Sequence, residues 1–516
     1  MRIIKLEIQD FRAFYGNHII EFAKEGERGK QSLLLYGENG SGKSSLLLAI
    51  KYILESADNE NLNFDDYKNI FREPPSDRYI ELTIRESVNK PPRLAKWTHD
   101  FRNTNNILEV KEASQAKGVL DYKELLEIHF VHRKESRINI FDLLVKSLLA
   151  KCVNDSDPNQ QAFSQQWQKL VETIPKHRGH TSKIEQFDEA ASLFSVGLKA
   201  KLNELQNEIS NLMSYFSHSV KISFDFEKIT FNNDTKYNEN DKENSIKNKE
   251  IFLNVELLDK LVYKPHHFLN EAKLTAIAIS IYLSSLLITP KPKLKLLVLD
   301  DIFIGLDMSN RLPLINIIKE KFNNPNSPNN NYQIFLMTYD REWYEILKQR
   351  LNGNKWIYKE LYRGEIKDND DNEKVIAEVP IWKQDKDYLE KAKDYLNIHH
   401  EPRIAAVYLR IAFEVILKDF CNEKRIEVIY KKEARELSSD DFWRQVQVAK
   451  KSDGTPYVNS FLAFDIKLYR NIIMNPLSHS RITQAYSGEV GQAIATVEKL
   501  KDALFPTNQN KRRSNP

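Results

Sequence analysis

The sequence predicts an α/β protein built on a parallel sheet, followed by a mostly helical C-terminal domain. Three observations carry that expectation. An apolar run leads into a glycine-rich loop and a helix-like stretch, "LLLYGENGSGKSSLLLAI" at 33–50. A second apolar run, "KLKLLVLDD" at 293–301, ends in two aspartates. From 271 onward strand-like and helix-like stretches alternate, as parallel strands joined by crossover helices require.

Taken in order, "IIKLEIQDF" alternates as a half-buried strand does, and "HIIEF" follows a Gly-Asn turn. Further strand-like runs are "YIELTIR" (79–85) and "NILEV" (106–110). From about 120 to 217 the pattern is helical, with "YKELLEIHF", "INIFDLLVKSLLA" and a long amphipathic stretch ending at 216. Strand-like "VKISFDF" and "IFLNVEL" flank a polar insert (232–250) that reads as a mobile loop. Helix, strand "KLLVLDD", helix "RLPLINIIKEKF", strand "QIFLMT" and helix "REWYEILKQR" complete the alternation. The acidic "KDNDDNEK" (367–374) reads as a linker. The boundaries drawn are 1–120 and 218–366 for two parts of one α/β domain, 121–217 for a helical insertion, 384–505 for a helical domain, and 506–516 for a basic tail.

With 516 residues, 41% hydrophobic and 29% charged, the chain can bury several cores. A net charge of +3 excludes a molecule that is basic throughout, leaving local patches such as "VHRKESR" (131–137) for phosphates. Two distant cysteines argue against a disulfide framework or zinc site and fit a reducing cytoplasm. "MRIIKLEIQDFR" has no apolar core of the kind a secretion signal carries. The uncharged run Leu274–Pro290 is slightly short for a bilayer and holds several hydroxyls, so it reads as a buried helix and no membrane partner is expected.

The glycine-rich loop satisfies G-x-x-x-x-G-K-[ST] in full. Gly37, Gly40 and Gly42 let the backbone wrap with its N–H groups inward, together with Asn39, Ser41 and the adjoining Ser45. The following helix adds its positive end. Lys43 is positioned for the β- and γ-phosphates of ATP and Ser44 for Mg²⁺. Such a loop needs a carboxylate on a neighbouring strand. Asp300 supplies it through the metal's water shell, and Asp301 follows as the residue to orient the attacking water.

Three further segments narrow the class: "FLNEAKLTAIAIS" (268–280), "IGLDMSNR" (304–311) and "FLMTYDREWYE" (335–345). In this order they resemble the signature motif, D-loop and switch loop of ABC-type ATPases, in the SMC, RecF and recombination-repair branch. "LEIQDFRAFYGNHIIEF" resembles that branch too, with Arg12 at its arginine position. The resemblance covers roughly 1–56 and 251–350. It implies an ABC-type head in which Asn270, Asp307 and Tyr339 serve the nucleotide, and two chains sandwich two ATP molecules. Asn270, Glu271 and Ala272 stand where the family has Ser-Gly-Gly, Asp301 where it has Glu, and Tyr339 where it has His. The shorter reach of Asp301 implies slow hydrolysis, with ATP acting as a conformational clamp.

In the helical region, "PRIAAVYLRIAFEVILKDFC" places Ala405, Leu409, Phe413, Ile416 and Phe420 on one face. "LYRNIIMNPLSHS" brings Arg470, Asn475 and His479 near a helix end. Three readings stand there: a structural cap, a partner-docking site, or RNA cleavage in the manner of HEPN-type ribonucleases, whose Arg–His spacing is shorter. With a compact ATPase core and no long coiled coil, the chain resembles the PtuA-type ATPases of Septu and retron-associated Septu anti-phage defence. That resemblance implies an oligomer controlling a separate HNH nuclease, with a reverse transcriptase and its DNA–RNA product in the retron version, and phage nucleic acid as a further partner. A RecF-like DNA-repair clamp is the other reading of the core.

Overall fold

The computed structural model describes residues 1–22, 32–72, 77–87, 89–116, 118–121, 138–175, 181–216, 219–232, 238–239, 241–324, 330–351, 355–367, 374–383, 387–428, 438–475 and 487–506. The chain divides into two compact units, Met1–Lys383 and Gln384–Pro516.

The first unit is organised by strand pairing. β1 (Arg2–Phe11), β2 (Phe14–Glu21), β4 (Tyr79–Arg85) and β5 (Arg93–Thr98) form an antiparallel sheet in the order β2-β1-β4-β5. The central sheet runs β16-β15-β3-β14-β13-β6, built from β3 (Ser32–Gly37), β6 (Val119–Asp121), β13 (Leu296–Asp300), β14 (Gln333–Thr338), β15 (Trp356–Lys367) and β16 (Val375–Trp382). All its pairings are parallel except β15 with β16. Every residue of β3, β13 and β14 is buried, which is why their middles are continuously apolar rather than alternating, with polar residues only at strand ends.

The pleat sends alternate residues to opposite faces. Leu33, Leu35, Val298, Phe335 and Met337 join the core shared with β1, β4 and the helix Lys43–Glu55. Leu34, Tyr36, Leu297, Leu299, Ile334 and Leu336 join the opposite core, with the helices Thr181–Met213 and Glu271–Ile288. The helix Glu271–Ile288 is apolar on all sides and long enough to cross a membrane, and 67% of that stretch is buried inside the protein. In Thr181–Met213 the buried residues Phe187, Ala191, Phe194, Leu198, Leu202, Leu205, Ile209 and Leu212 recur every three or four positions, one stripe facing inward.

Several segments differ from the sequence expectation. "NILEV" leads into the helix Leu108–Gln115 rather than a strand; five residues are too few to separate the two periods. "INIFDLLVKSLLA" begins as the short strand β7 (Ile138–Asn139) before a helical turn. β8 (Val220–Phe226) and β11 (Ile251–Leu257) do pair, with β7 and β12 (Lys260–Leu261) in the same sheet. The polar insert between them is partly anchored: β9 (Thr230–Phe231) pairs with β10 (Ile246–Lys247), and Ser245 is buried. "KDNDDNEK" is no linker between units, because Lys367 pairs with Val375 and the stretch joins two strands of one hairpin. "YKELLEIHF" and "VHRKESR" lie outside the described residues.

The second unit is helical, with helices Tyr388–Asn397, Pro402–Lys424, Ser439–Val448, Ser460–Tyr469 and Ser487–Leu504. The face Ala405, Leu409, Phe413, Ile416 and Phe420 is buried in its core with Trp443, Ile466 and Val497.

Candidate nucleotide site

The site forms where the C-terminal ends of β3 and β13 come level on either side of β14, with Tyr36 opposite Thr338 and Asp300 opposite Met337. The loop after β3 turns on left-handed glycines, Gly40 at φ 82° and Gly42 at φ 101°, a region that a side chain would strain. Gly37 is required for another reason. A Cβ there would lie 2.5 Å from Ser41 Oγ and 2.8 Å from Lys43 Cγ, so the loop closes on a position with no room for a side chain.

Inside the loop, buried Lys43 donates from Nζ to the Gly37 carbonyl at 2.7 Å and to the Glu38 carbonyl at 3.2 Å. The same ammonium stands 3.8 Å from Asp301 Oδ2. Ser44 Oγ donates to Asp300 Oδ2 at 3.1 Å, and Asp300 is only 4% exposed. Ser41 Oγ is buried with no hydrogen-bond partner among the described residues, a state that ordinarily costs stability. Ser45 is buried on the first turn of the helix, whereas Asn39 is exposed at the loop's apex.

Asp301 departs from ordinary backbone geometry, with φ 52° at a non-glycine residue. Two bonds hold it there: its N–H donates to Met337 O at 3.1 Å, and its Oδ1 accepts from the Tyr339 N–H at 2.9 Å. Burial pushes its carboxyl above the usual aspartate value, against the pull of Lys43 and the Tyr339 N–H. A strained, desolvated carboxylate next to the loop lysine has the properties of a proton acceptor. Tyr339 therefore reaches this centre through its backbone, while its side chain is 40% exposed.

The remaining nucleotide candidates surround the centre. Exposed Asn270 caps the helix Glu271–Ile288, its Oδ1 accepting from Lys273 N at 3.1 Å, which leaves its amide NH₂ as a donor. Asp307 caps Met308–Ile317, accepting from Asn310 N at 3.1 Å and Ser309 Oγ at 2.8 Å. A Cβ on Gly305 would fall 2.4 Å from Thr275 Oγ1, so the Asp307 loop packs directly on the Asn270 helix. Arg12 is exposed with φ 49°, its backbone fixed by Tyr67 O and Asn69 Nδ2, and the next residue, Ala13, lies against Gly42.

Two charged links were not legible in the sequence. Arg311 donates from Nε to Leu306 O and pairs through Nη1 with Asp340 Oδ2 at 2.7 Å, tying the 304–311 loop to the segment after β14. Burial alone would raise the Asp340 carboxyl, but the Trp343 N–H and Arg311 together hold it below the usual value. Glu360 collects Arg341 at 2.6 Å, the Tyr362 hydroxyl at 2.6 Å and Lys383 at 2.9 Å. Burial acts to raise its carboxyl too, and these donors win, bringing it down to about 2. No motif announces either link, because apart from Glu360 and Tyr362 on one strand the partners come from separate elements that only the tertiary fold brings together.

The proposed effector cluster is not assembled among the described residues. Arg470 is buried, pairs with Asp440 Oδ1 at 2.7 Å and stacks on Phe413 at 5.3 Å. Its guanidinium thereby packs between helices, in line with the structural one of the three readings. Asn475 ends the described segment and His479 lies outside it.

The Smc head domain with an extended coiled coil from Pyrococcus furiosus, bound to the C-terminal domain of ScpA, is similar at 14% identity and a TM-score of 0.43. That alignment covers 77% of this chain and 99% of that one. The SMC head domain from Thermotoga maritima aligns over 74% of this chain and all of its own, at 12% identity and a TM-score of 0.34. A head domain with coiled coil and joint from Pyrococcus yayanosii aligns at 13% identity and 0.41, covering 74% of this chain and 97% of that one. No curated protein matches the sequence. An AAA domain family matches residues 5–401, and the chain belongs to that family.

Proposed function

We propose that the first unit is a slowly hydrolysing ABC-type ATPase that closes on a second copy across bound ATP and controls a partner nuclease in anti-phage defence. The observation that carries the ATPase reading is the Lys43–Ser44–Asp300–Asp301 constellation at the ends of β3 and β13. Its parts fit a triphosphate with a divalent cation. The loop offers N–H groups, the Lys43 ammonium and the unpaired Ser41 hydroxyl, and Ser44 with Asp300 offers the hard oxygen ligands that Mg²⁺ takes. When bound, Mg²⁺ supplies charge stabilisation to the phosphate oxygens.

In this reading Lys43 exchanges its loop carbonyls for the β- and γ-phosphates. Asp301, held by the Tyr339 N–H, accepts a proton from the attacking water. One carboxylate on a short, strained arm makes that step slow. The second copy brings Asn270 and Asp307 to the phosphates. Exposed Phe268, Ile304 and Met308 beside these residues support such an interface, being 69%, 40% and 55% exposed. The two cysteines, free and buried, support a cytoplasmic setting. The defence role rests on the sequence resemblance to the Septu ATPases. Its partner is an HNH nuclease, accompanied in a retron by a reverse transcriptase with its DNA–RNA product, and phage nucleic acid is a further partner.

The test is Lys43→Ala in the native operon, with ATP binding, phage protection and co-purifying partners read together. Loss of nucleotide and of protection is the expected outcome. Full protection by a variant that binds no ATP would remove the nucleotide from the function. Purification of the wild type with no nuclease or nucleic acid would remove the partner.

A further inference from the structure

β15 does not end where β3 ends. Leu361 pairs with Gly37, the last residue of β3, and Tyr362–Lys367 run on beside the glycine-rich loop while β16 returns antiparallel. Two residues of this hairpin, themselves register partners, stand beside the loop. Pro380 Cγ stands 2.8 Å from where a Gly42 Cβ would be, so the hairpin closes one side of the loop. Arg363 Cδ is the nearest atom to the corresponding point on Gly40, at 4.0 Å. The arginine stem therefore lies against the loop's apex.

The guanidinium pairs with Glu378, and both side chains are about half exposed, at 49% and 53%. An ion pair so exposed is weak, salt-sensitive and readily exchanged. A polyphosphate carries several charges and suits the guanidinium fork better than one carboxylate does. The hairpin itself has other anchors, in Pro380 against Gly42 and in Lys383 on Glu360.

We propose that Arg363 is a phosphate ligand of the bound nucleotide, parked on Glu378 and transferred to the polyphosphate when the loop fills. This rests on the reading of Gly37–Ser44 as a nucleotide site and adds a residue from outside that loop and its acidic strand. Glu378 then acts as a competitor for the arginine, which gives the two residues opposite signs.

The experiment is ATP titration of the full-length chain as wild type, Arg363→Ala, Glu378→Gln and Lys43→Ala, with thermal unfolding of each. Arg363→Ala is expected to weaken ATP binding about tenfold, the value of one charge-assisted contact. Glu378→Gln is expected to tighten it about two- to threefold by freeing the arginine. ATP binding by Arg363→Ala equal to wild type overturns the proposal while leaving the nucleotide site intact. Equal weakening in both variants, with matching loss of thermal stability, overturns it in favour of a rivet within the hairpin. Failure of wild type itself to bind ATP, like Lys43→Ala, overturns the nucleotide site and this ligand with it.

Discussion

Ser44 and Asp300 are 256 positions apart, yet the serine hydroxyl donates to the aspartate Oδ2 across 3.1 Å. The bond exists because β3 and β13 flank β14 and end level with it. β13 delivers Asp300 from its last residue, and the loop after β3 delivers Ser44 on the first turn of the helix Lys43–Glu55. In the proposed reading this pair holds the cation.

Asp300→Ala and Ser44→Ala should each remove Mg²⁺-dependent hydrolysis, lowering turnover on the order of 100-fold or more while ATP still binds in EDTA. ATPase rate against Mg²⁺ concentration checks this. A variant with the wild-type Mg²⁺ curve would place the cation elsewhere.

Asp301→Asn keeps the acceptor for the Tyr339 N–H and loses the base. Turnover should fall by roughly 10²–10⁴-fold with ATP affinity nearly unchanged. Because burial raises the Asp301 carboxyl, the wild-type rate should begin to fall on acidification at a pH above the ordinary aspartate value of 3.8. Only the deprotonated form accepts a proton, so this acid limb should vanish in the variant. An identical pH profile in both proteins would assign the base to another group.

Glu360 is held down to about 2, so its contribution to stability has a defined window. A depressed carboxylate stabilises the fold above its ordinary value of 4.5 and loses that contribution as pH falls toward 2. Glu360→Gln should cost on the order of 1–3 kcal/mol at neutral pH through the loosened Arg341 and Lys383 bonds. The variant should then show a flatter decline between pH 5 and pH 2, as a rough window from the same shift. Thermal unfolding across that range reads both effects.

Arg470→Ala should destabilise the second unit by about 1–3 kcal/mol, since it strips a guanidinium from the Phe413 ring and unpairs Asp440. Hydrogen exchange of Pro402–Lys424 should quicken, and ATP turnover by the first unit should stay within twofold. Wild-type exchange combined with loss of an RNA-cleaving activity would restore Arg470 as an effector residue.

The glycine-rich loop and the buried strands were legible because their constraints are local. Gly37, Gly40 and Gly42 answer to backbone geometry within eight residues, and an apolar run such as "LLVL" before Asp300 announces burial on both faces. "NILEV" and "KDNDDNEK" misled because a five-residue run carries too little period and an acidic stretch serves a hairpin loop as well as a linker. The helix caps at Asn270, Asp307 and Asp340 sit where their residue types favour them, but each was read for another role or passed over.

The sequence by itself determined the phosphate-binding loop, the acidic strand, the alternation of strands and helices, and the apolar face of the helical unit. These follow from periods of two and 3.6 and from the conformations that glycine alone takes readily. Only the tertiary structure decided that Asp301 is twisted to φ 52° beside Lys43, that Glu360 gathers Arg341, Lys383 and Tyr362, and that Arg363 lies over Gly40. Those relationships depend on which strands become neighbours. Strand order is set by burial of the whole sheet between its two cores, and no short stretch of chain contains that information.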